Sequence, residues 1–187
     1  MKTLMKVLAG ITLALFIYFT VMYSMEHFGV YLSCAVTFGT CAYHLCMRLI
    51  VGLIFDKTMN NKADYNKKTY RLKPFERKLY SFLWVKRWKN KMPTYDKEVF
   101  DISSNTWDEI AQATCQAEMV HRTCFVLSFL PIILSIWFGD FPVFLITSLF
   151  GALIDLLFII MQRFNRPRII KIIKIEKRRE KNAERWV

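Results

Sequence analysis

The sequence predicts an all-α integral membrane protein of about four transmembrane helices in two hairpins, with interfacial amphipathic helices and both termini cytoplasmic. Three observations lead there. Of 187 residues, 54% are hydrophobic and the net charge is +12. The apolar residues are pooled into long runs and the charges lie between them, whereas a soluble domain of this length would spread polar residues over every exposed face. The runs match the roughly 20 helical residues needed to cross ~30 Å of hydrocarbon. Charge also sets an orientation: of 27 Lys and Arg, 14 fall between residues 56 and 123 and 10 after residue 161, while the tips "EHFG" and "GDFP" carry none. The positive-inside rule then places the termini and the central segment in the cytoplasm.

The expected spans are 7–25, 30–55, 120–138 and 141–161, within one membrane domain covering 1–187. The first follows Lys2 and Lys6 as a signal peptide would, but no A-x-A-like cleavage site follows, so it reads as an uncleaved helix. The third looks short until residues before Cys124 are read as the same helix leaving the membrane; Pro131 is expected to kink it. Five cysteines form no CxxC pair and no zinc spacing, and read as small apolar residues of a membrane core.

Between the second and third spans lies a cytoplasmic interfacial segment, 56–119. Aromatics recur there among lysines, and 74–88 has the spacing of a helix on the membrane surface, its rings in the headgroup layer and its cations on anionic lipid. Pro93 ends that stretch. In "TWDE", Thr106 and Glu109 have the spacing of a capping box, which starts the helix leading into the third span. The basic tail, 162–187, begins as an amphipathic helix with isoleucines at 169, 170, 172 and 173.

Chemistry has four candidate locations. In "QAEMVHR", Glu118 and His121 are three apart on one helix face; a carboxylate-held histidine is a common general base, although such pairs are also ordinary surface contacts. Counting back from Phe138 at ~1.5 Å per residue puts His121 about 25 Å away, near the cytoplasmic interface. In "YHLCMR", His44 and Arg48 share a face inside an apolar run. Ionisable groups at that depth need a partner, and Asp155, at a matching depth of roughly 10 Å, is the obvious one. They read either as a structural ion pair or as the floor of a polar cavity. In "IIMQRFNRPR", any two or three cations would serve as an anchor, but Gln162 and Asn165 add carboxamides, while Arg163, Arg166 and Arg168 add phosphate-gripping donors. Pro167 is expected to stop the helix and aim these groups. The fourth, "LWVKRWKNKMP", alternates Trp and Lys, a pattern that nucleic-acid surfaces also use, but beside membrane spans lipid is the better partner, and no nucleic acid is expected. G-x-S-x-G, P-loop and dinucleotide fingerprints are absent.

Taken together, "VKRWKNKMP", "QAEMVH" and "QRFNRPR", in this order, resemble the bacterial family named for glycosyl-4,4'-diaponeurosporenoate acyltransferase, over about residues 84–168. By position the family's motifs fall on Trp84, Lys86, Trp88, Lys89 and Pro93, on Glu118 and His121, and on Gln162, Arg163, Asn165, Arg166, Pro167 and Arg168. Met92 stands where a branched aliphatic is common, and Phe164 where tyrosine is typical. The resemblance implies O-acyl transfer to a sugar hydroxyl of a membrane-embedded glycolipid-like or glycosylated carotenoid acceptor, the last step of staphyloxanthin-type synthesis. His121, oriented by Glu118, would take the hydroxyl proton, and Gln162 or Asn165 would hold the developing oxyanion. The arginines and lysines would bind the phosphates of acyl-CoA or an acidic acyl carrier protein, with no resident cofactor or metal. Lys86, Trp88, Lys89, His44 and Arg48 join the substrate-binding set. The expected location is the cell membrane, multi-pass, with the site on the cytoplasmic side. The competing class is a small non-enzymatic membrane protein that binds anionic lipid or assists complex assembly, whose behaviour salt would control.

Overall fold

The structure is a computed structural model describing residues 2–93 and 98–184. Residues 94–97 of the polar segment and 185–187 of the basic tail lie outside the described residues. Regular structure among the described residues is all helical: α1 (Lys2–Glu26), α2 (Gly29–Met59), α3 (Pro74–Phe82), α4 (Val85–Trp88), α5 (Trp107–Leu127), α6 (Leu130–Phe138) and α7 (Phe141–Ala183). Short 3-10 turns lie at Lys68–Tyr70, Lys89–Lys91 and Glu98–Phe100. Four stretches are long and apolar enough to cross a membrane: α1, α2, Trp107–Phe138 and α7. Exposed Leu4, Ile11, Ile17, Ile136, Ile146 and Phe150 on these helices suit contact with lipid tails.

The residues form these elements for local reasons. At the start of α5, the Thr106 amide donates to the Glu109 carboxylate at 2.8 Å and the Glu109 amide donates to Thr106 Oγ1 at 3.3 Å, the reciprocal cap its spacing predicts. The third span is interrupted beside Pro131, where the kink is expected: α5 ends at Leu127 and α6 restarts at Leu130. Pro131 sits in the first turn of α6, where a missing amide removes no helical bond, and Ser128 Oγ donates to the Cys124 carbonyl at 2.8 Å. The interfacial stretch 74–88 is also two pieces. Trp84 adopts a left-handed φ of 51° between α3 and α4; Arg87 lies 3.9 Å over its ring, and the Trp88 indole donates to the Leu83 carbonyl at 3.0 Å.

Pro167 corrects the sequence reading more sharply. It lies inside α7, which continues to Ala183 rather than stopping. An interior proline costs about 3 kcal/mol or more; on the same stretch of helix, Arg163 and Arg166 tie α7 to α3 and α5 through ion pairs.

The chain sorts into two compact units, Met1–Phe55 with Val120–Leu156, and Asp56–Met119 with Leu157–Val187. In the first, the rings of Phe19 and Phe38 stack at 5.5 Å, and Gly39 leaves room for Phe16: a Cβ there would lie 2.9 Å from its ring. Met47 and Val51 of α2 pack with Cys124 of α5, and the Tyr43 hydroxyl donates to the Leu127 carbonyl at 2.9 Å. Gly139 and Asp140, both at positive φ, turn the chain from α6 into α7.

In the second unit, Tyr80, Val85 and Ile160 form a small core with Leu72, Trp88 and Phe164 around it. The segment after α2 is held along α5 by carboxamides. Gln116 accepts from the Asn61 amide at 2.7 Å and donates to Asp56 at 2.8 Å, and the Tyr65 hydroxyl donates to Asp108 at 2.6 Å. If the ion pairs rather than the ring keep α7 continuous, Pro167→Ala restores a helical amide and raises stability by up to about 3 kcal/mol. Thermal unfolding in detergent measures this; a lower midpoint would show that the ring itself is packed to advantage.

Candidate active site

In the first unit, three helices bring ionisable groups to one buried carboxylate. Asp155 of α7 is fully buried. Its Oδ2 accepts from Arg48 of α2 at 2.7 Å, and its Oδ1 lies 2.9 Å from Nδ1 of His121 on α5. The expected pairing of Arg48 with Asp155 is therefore present, and His121 joins it. Arg48 also donates to the carbonyls of His44 and Gly151, each at 2.8 Å. Gly151, one turn before Asp155, has to be small: a Cβ would lie 3.1 Å from His44 Nδ1 and 3.2 Å from Arg48 Nη2. His44 is buried there with neither ring nitrogen hydrogen-bonded among the described residues.

Chemically, a carboxylate on Nδ1 favours the tautomer with its proton there and the lone pair on Nε2, the form a general base needs. The same unit holds a largely apolar cleft of ≈ 780 Å³ lined by Phe16, Tyr23, Gly39, Tyr43, Trp137 and Phe144 among others, within the size range of small-ligand sites.

In the second unit, Glu118 is fully buried and takes Arg163 Nη1 at 2.8 Å on Oε1 and Arg166 Nη1 at 2.6 Å on Oε2. Arg163 also grips Glu76 with two donors, both at 2.9 Å, and donates to the carbonyls of Thr69 and Arg71. Each of its N–H groups has a protein acceptor. Arg166 donates to Thr114 Oγ1, to the Thr114 carbonyl and to the Tyr70 carbonyl. These two arginines, read from the sequence as phosphate ligands, are engaged with the protein and frame the unit. The carboxylate on His121 Nδ1 is Asp155, while Glu118 holds these guanidiniums.

The remaining predicted residues divide. Lys89 donates to Asn165 Oδ1 at 2.7 Å, and Lys89 and Arg168 both lie over the Phe164 ring. Trp88 belongs to the small core, and Lys86 is exposed. Gln162 is buried, 6% exposed. Sequence reasoning missed Glu76 and Gly151. Glu76 follows Pro74 at the third position of α3, a capping signal that could have been read: its carboxylate accepts from the Lys73 amide at 2.7 Å. Gly151 shares a helix face with Asp155, where a small residue marks a close approach.

Four apolar helices with paired ionisable groups buried among them are the marks of a multi-pass α-helical membrane protein. The family model described as glycosyl-4,4'-diaponeurosporenoate acyltransferase matches residues 64–175, and the chain belongs to that family. That membership supports an acyltransferase role. Neither the curated proteins nor the solved structures gave a match.

Two outcomes are expected of the second unit. Arg166→Met leaves Glu118 with one partner fewer in a dry interior, and loss of one partner from a buried pair costs about 3–5 kcal/mol; chemical denaturation of the purified protein measures it. Burial acts to raise the Glu76 carboxyl, but the Arg163 hydrogen bonds and charge and the Lys73 amide outweigh it and hold the group below its usual range. A depressed carboxyl stabilises the fold above its unfolded value, about 4.3, and that contribution is lost as pH falls through the lower folded value. Glu76→Gln should flatten the acid limb of a stability-against-pH curve.

Proposed function

We propose that this chain is a membrane acyltransferase moving a fatty acyl group from a cytoplasmic thioester donor to a hydroxyl of a membrane glycolipid or glycosylated carotenoid-like acceptor. The observation that carries the reading is the Asp155 carboxylate 2.9 Å from His121 Nδ1, in a chain whose family is one of acyltransferases. In the proposed step, His121 takes the proton of the acceptor hydroxyl through Nε2 as the oxygen attacks the thioester carbonyl. The tetrahedral adduct collapses with cleavage of the C–S bond, and the imidazolium returns its proton to the departing thiolate. Asp155 holds the ring in the required tautomer and stabilises the imidazolium, with Arg48 fixing the carboxylate. His44 completes the polar floor beside Gly151. The apolar cleft of the same unit suits the tail of the acceptor or the acyl chain. The cytoplasmic side of the cell membrane is the proposed place of reaction, supported by the distribution of Lys and Arg.

One observation favours the second reading, a lipid-binding or assembly protein. Phe82 and Trp84 are 78% and 58% exposed amid the lysines of the interfacial stretch, with Arg87 stacked on Trp84, a surface suited to anionic headgroups. Lipid extracts from cells lacking the gene, complemented with wild type, and complemented with His121→Ala separate the two. One acylated glycolipid should vanish on deletion and return only with wild type. Loss of a general base should lower transfer by about 10²–10⁴-fold, with protein level and membrane insertion unchanged. Indistinguishable lipid profiles across the three strains would instead favour the lipid-binding reading.

A further inference from the structure

The second unit contains two kinds of cation. Arg163 and Arg166 each face a carboxylate. Lys89 and Arg168 do not: among the described residues neither has an acidic partner, yet both are gathered around one aromatic ring. Lys89 Nζ lies 5.4 Å from the Phe164 centroid and Arg168 Cζ lies 4.9 Å from it. Two like charges drawn together without a counter-charge repel, and cation–π contacts to one ring offset little of that. An ordinary surface would let the two side chains swing apart. Here Lys89 is tethered, half-buried, by its 2.7 Å bond to Asn165.

That bond also orients the carboxamide. An ammonium only donates, so the atom facing it is the oxygen, and the Asn165 NH₂ remains a donor. Phe164, Asn165 and Arg168 stand on consecutive turns of α7, and Lys89 opens the 3-10 turn after α4. The set therefore has a point-charge ammonium, a planar guanidinium fork and a neutral amide donor. This combination matches a phosphate, which takes charge from a lysine and paired N–H bonds from an arginine. Burial, and then the charge of Arg168, hold the Lys89 pKa below its ordinary range. An arriving dianion would relieve that repulsion.

We infer that Lys89, Asn165 and Arg168 form a binding site for a phosphate or diphosphate group, with Phe164 as the platform that spaces the two cations. Within the acyltransferase reading, on which the choice of donor rests, this is where a nucleotide-bearing thioester would place its phosphates. An anionic phospholipid headgroup offers the same chemistry. The site accordingly assigns phosphate binding to Lys89 and Arg168 and excludes Arg163 and Arg166, whose donors the protein already uses.

The test is equilibrium binding to the full chain in nonionic detergent, independent of turnover. Radiolabelled coenzyme A and inorganic pyrophosphate are the soluble probes; co-purified lipid from nanodiscs of phosphatidylglycerol or phosphatidylcholine is the other arm. Lys89→Gln and Arg168→Gln should each weaken binding at least tenfold, Lys89→Arg should retain most of it, and raised salt should weaken wild type more than the variants. Elution profile and thermal midpoint show whether each variant is folded. Loss of coenzyme A and pyrophosphate binding identifies a donor-phosphate site, and loss of phosphatidylglycerol retention alone identifies a headgroup site. Folded variants that bind every probe as wild type does would overturn the inference. A protein that binds coenzyme A through these residues but transfers no acyl group would retain this site and remove the proposed reaction.

Discussion

The constraint on which the second unit depends is the burial of Glu118. A carboxylate with no exposure to water needs full compensation, because an unpaired charge in a dry interior costs several kcal/mol. Arg163 and Arg166 supply it from one stretch of α7, and the guanidinium of Arg163 must then be satisfied in turn. Its partners are Glu76 and two backbone carbonyls from the segment before α3. A single buried acid thus ties α5, α7, α3 and an irregular loop into one arrangement. Two carboxylates and two guanidiniums balance, so the set is neutral as a whole, which lets it exist with little water.

The first unit follows the same rule with a different outcome. Asp155 is as deeply buried as Glu118, but one of its two partners is an imidazole. A guanidinium only donates, whereas an imidazole has two ring nitrogens, of which one can donate while the other accepts. The network around Glu118 is therefore built of donors alone, and the network around Asp155 includes a group that can also accept. That difference makes the first a frame and the second a candidate for chemistry. Gly151 contributes by omission: any side chain there would press on His44 and Arg48.

The cations outside these networks divide by surroundings. Lys86 and Arg87 lie on an exposed stretch rich in aromatics, as a headgroup-facing surface requires. Lys89 and Arg168 instead converge on Phe164. The ring serves there as an apolar platform without a hydroxyl.

Much of the fold could be read along the chain, because its signals are local. Four apolar stretches, the Thr106–Glu109 cap and the need of Arg48 for Asp155 follow from periodicity, capping chemistry and the cost of a lone charge in hydrocarbon. What the sequence could not decide was which partners Glu118 and His121 would take. Glu118 and His121 share a helix face by spacing, yet the carboxylate on His121 Nδ1 comes from residue 155 and Glu118 holds arginines 45 and 48 positions away (163 − 118 and 166 − 118). Pro167 reads locally as a stop, but α7 runs through it to Ala183, with Arg163 and Arg166 ion-paired on the same stretch. Local rules set which groups must be compensated; only the packing of distant helices, where desolvation makes each pairing obligatory, determined by what.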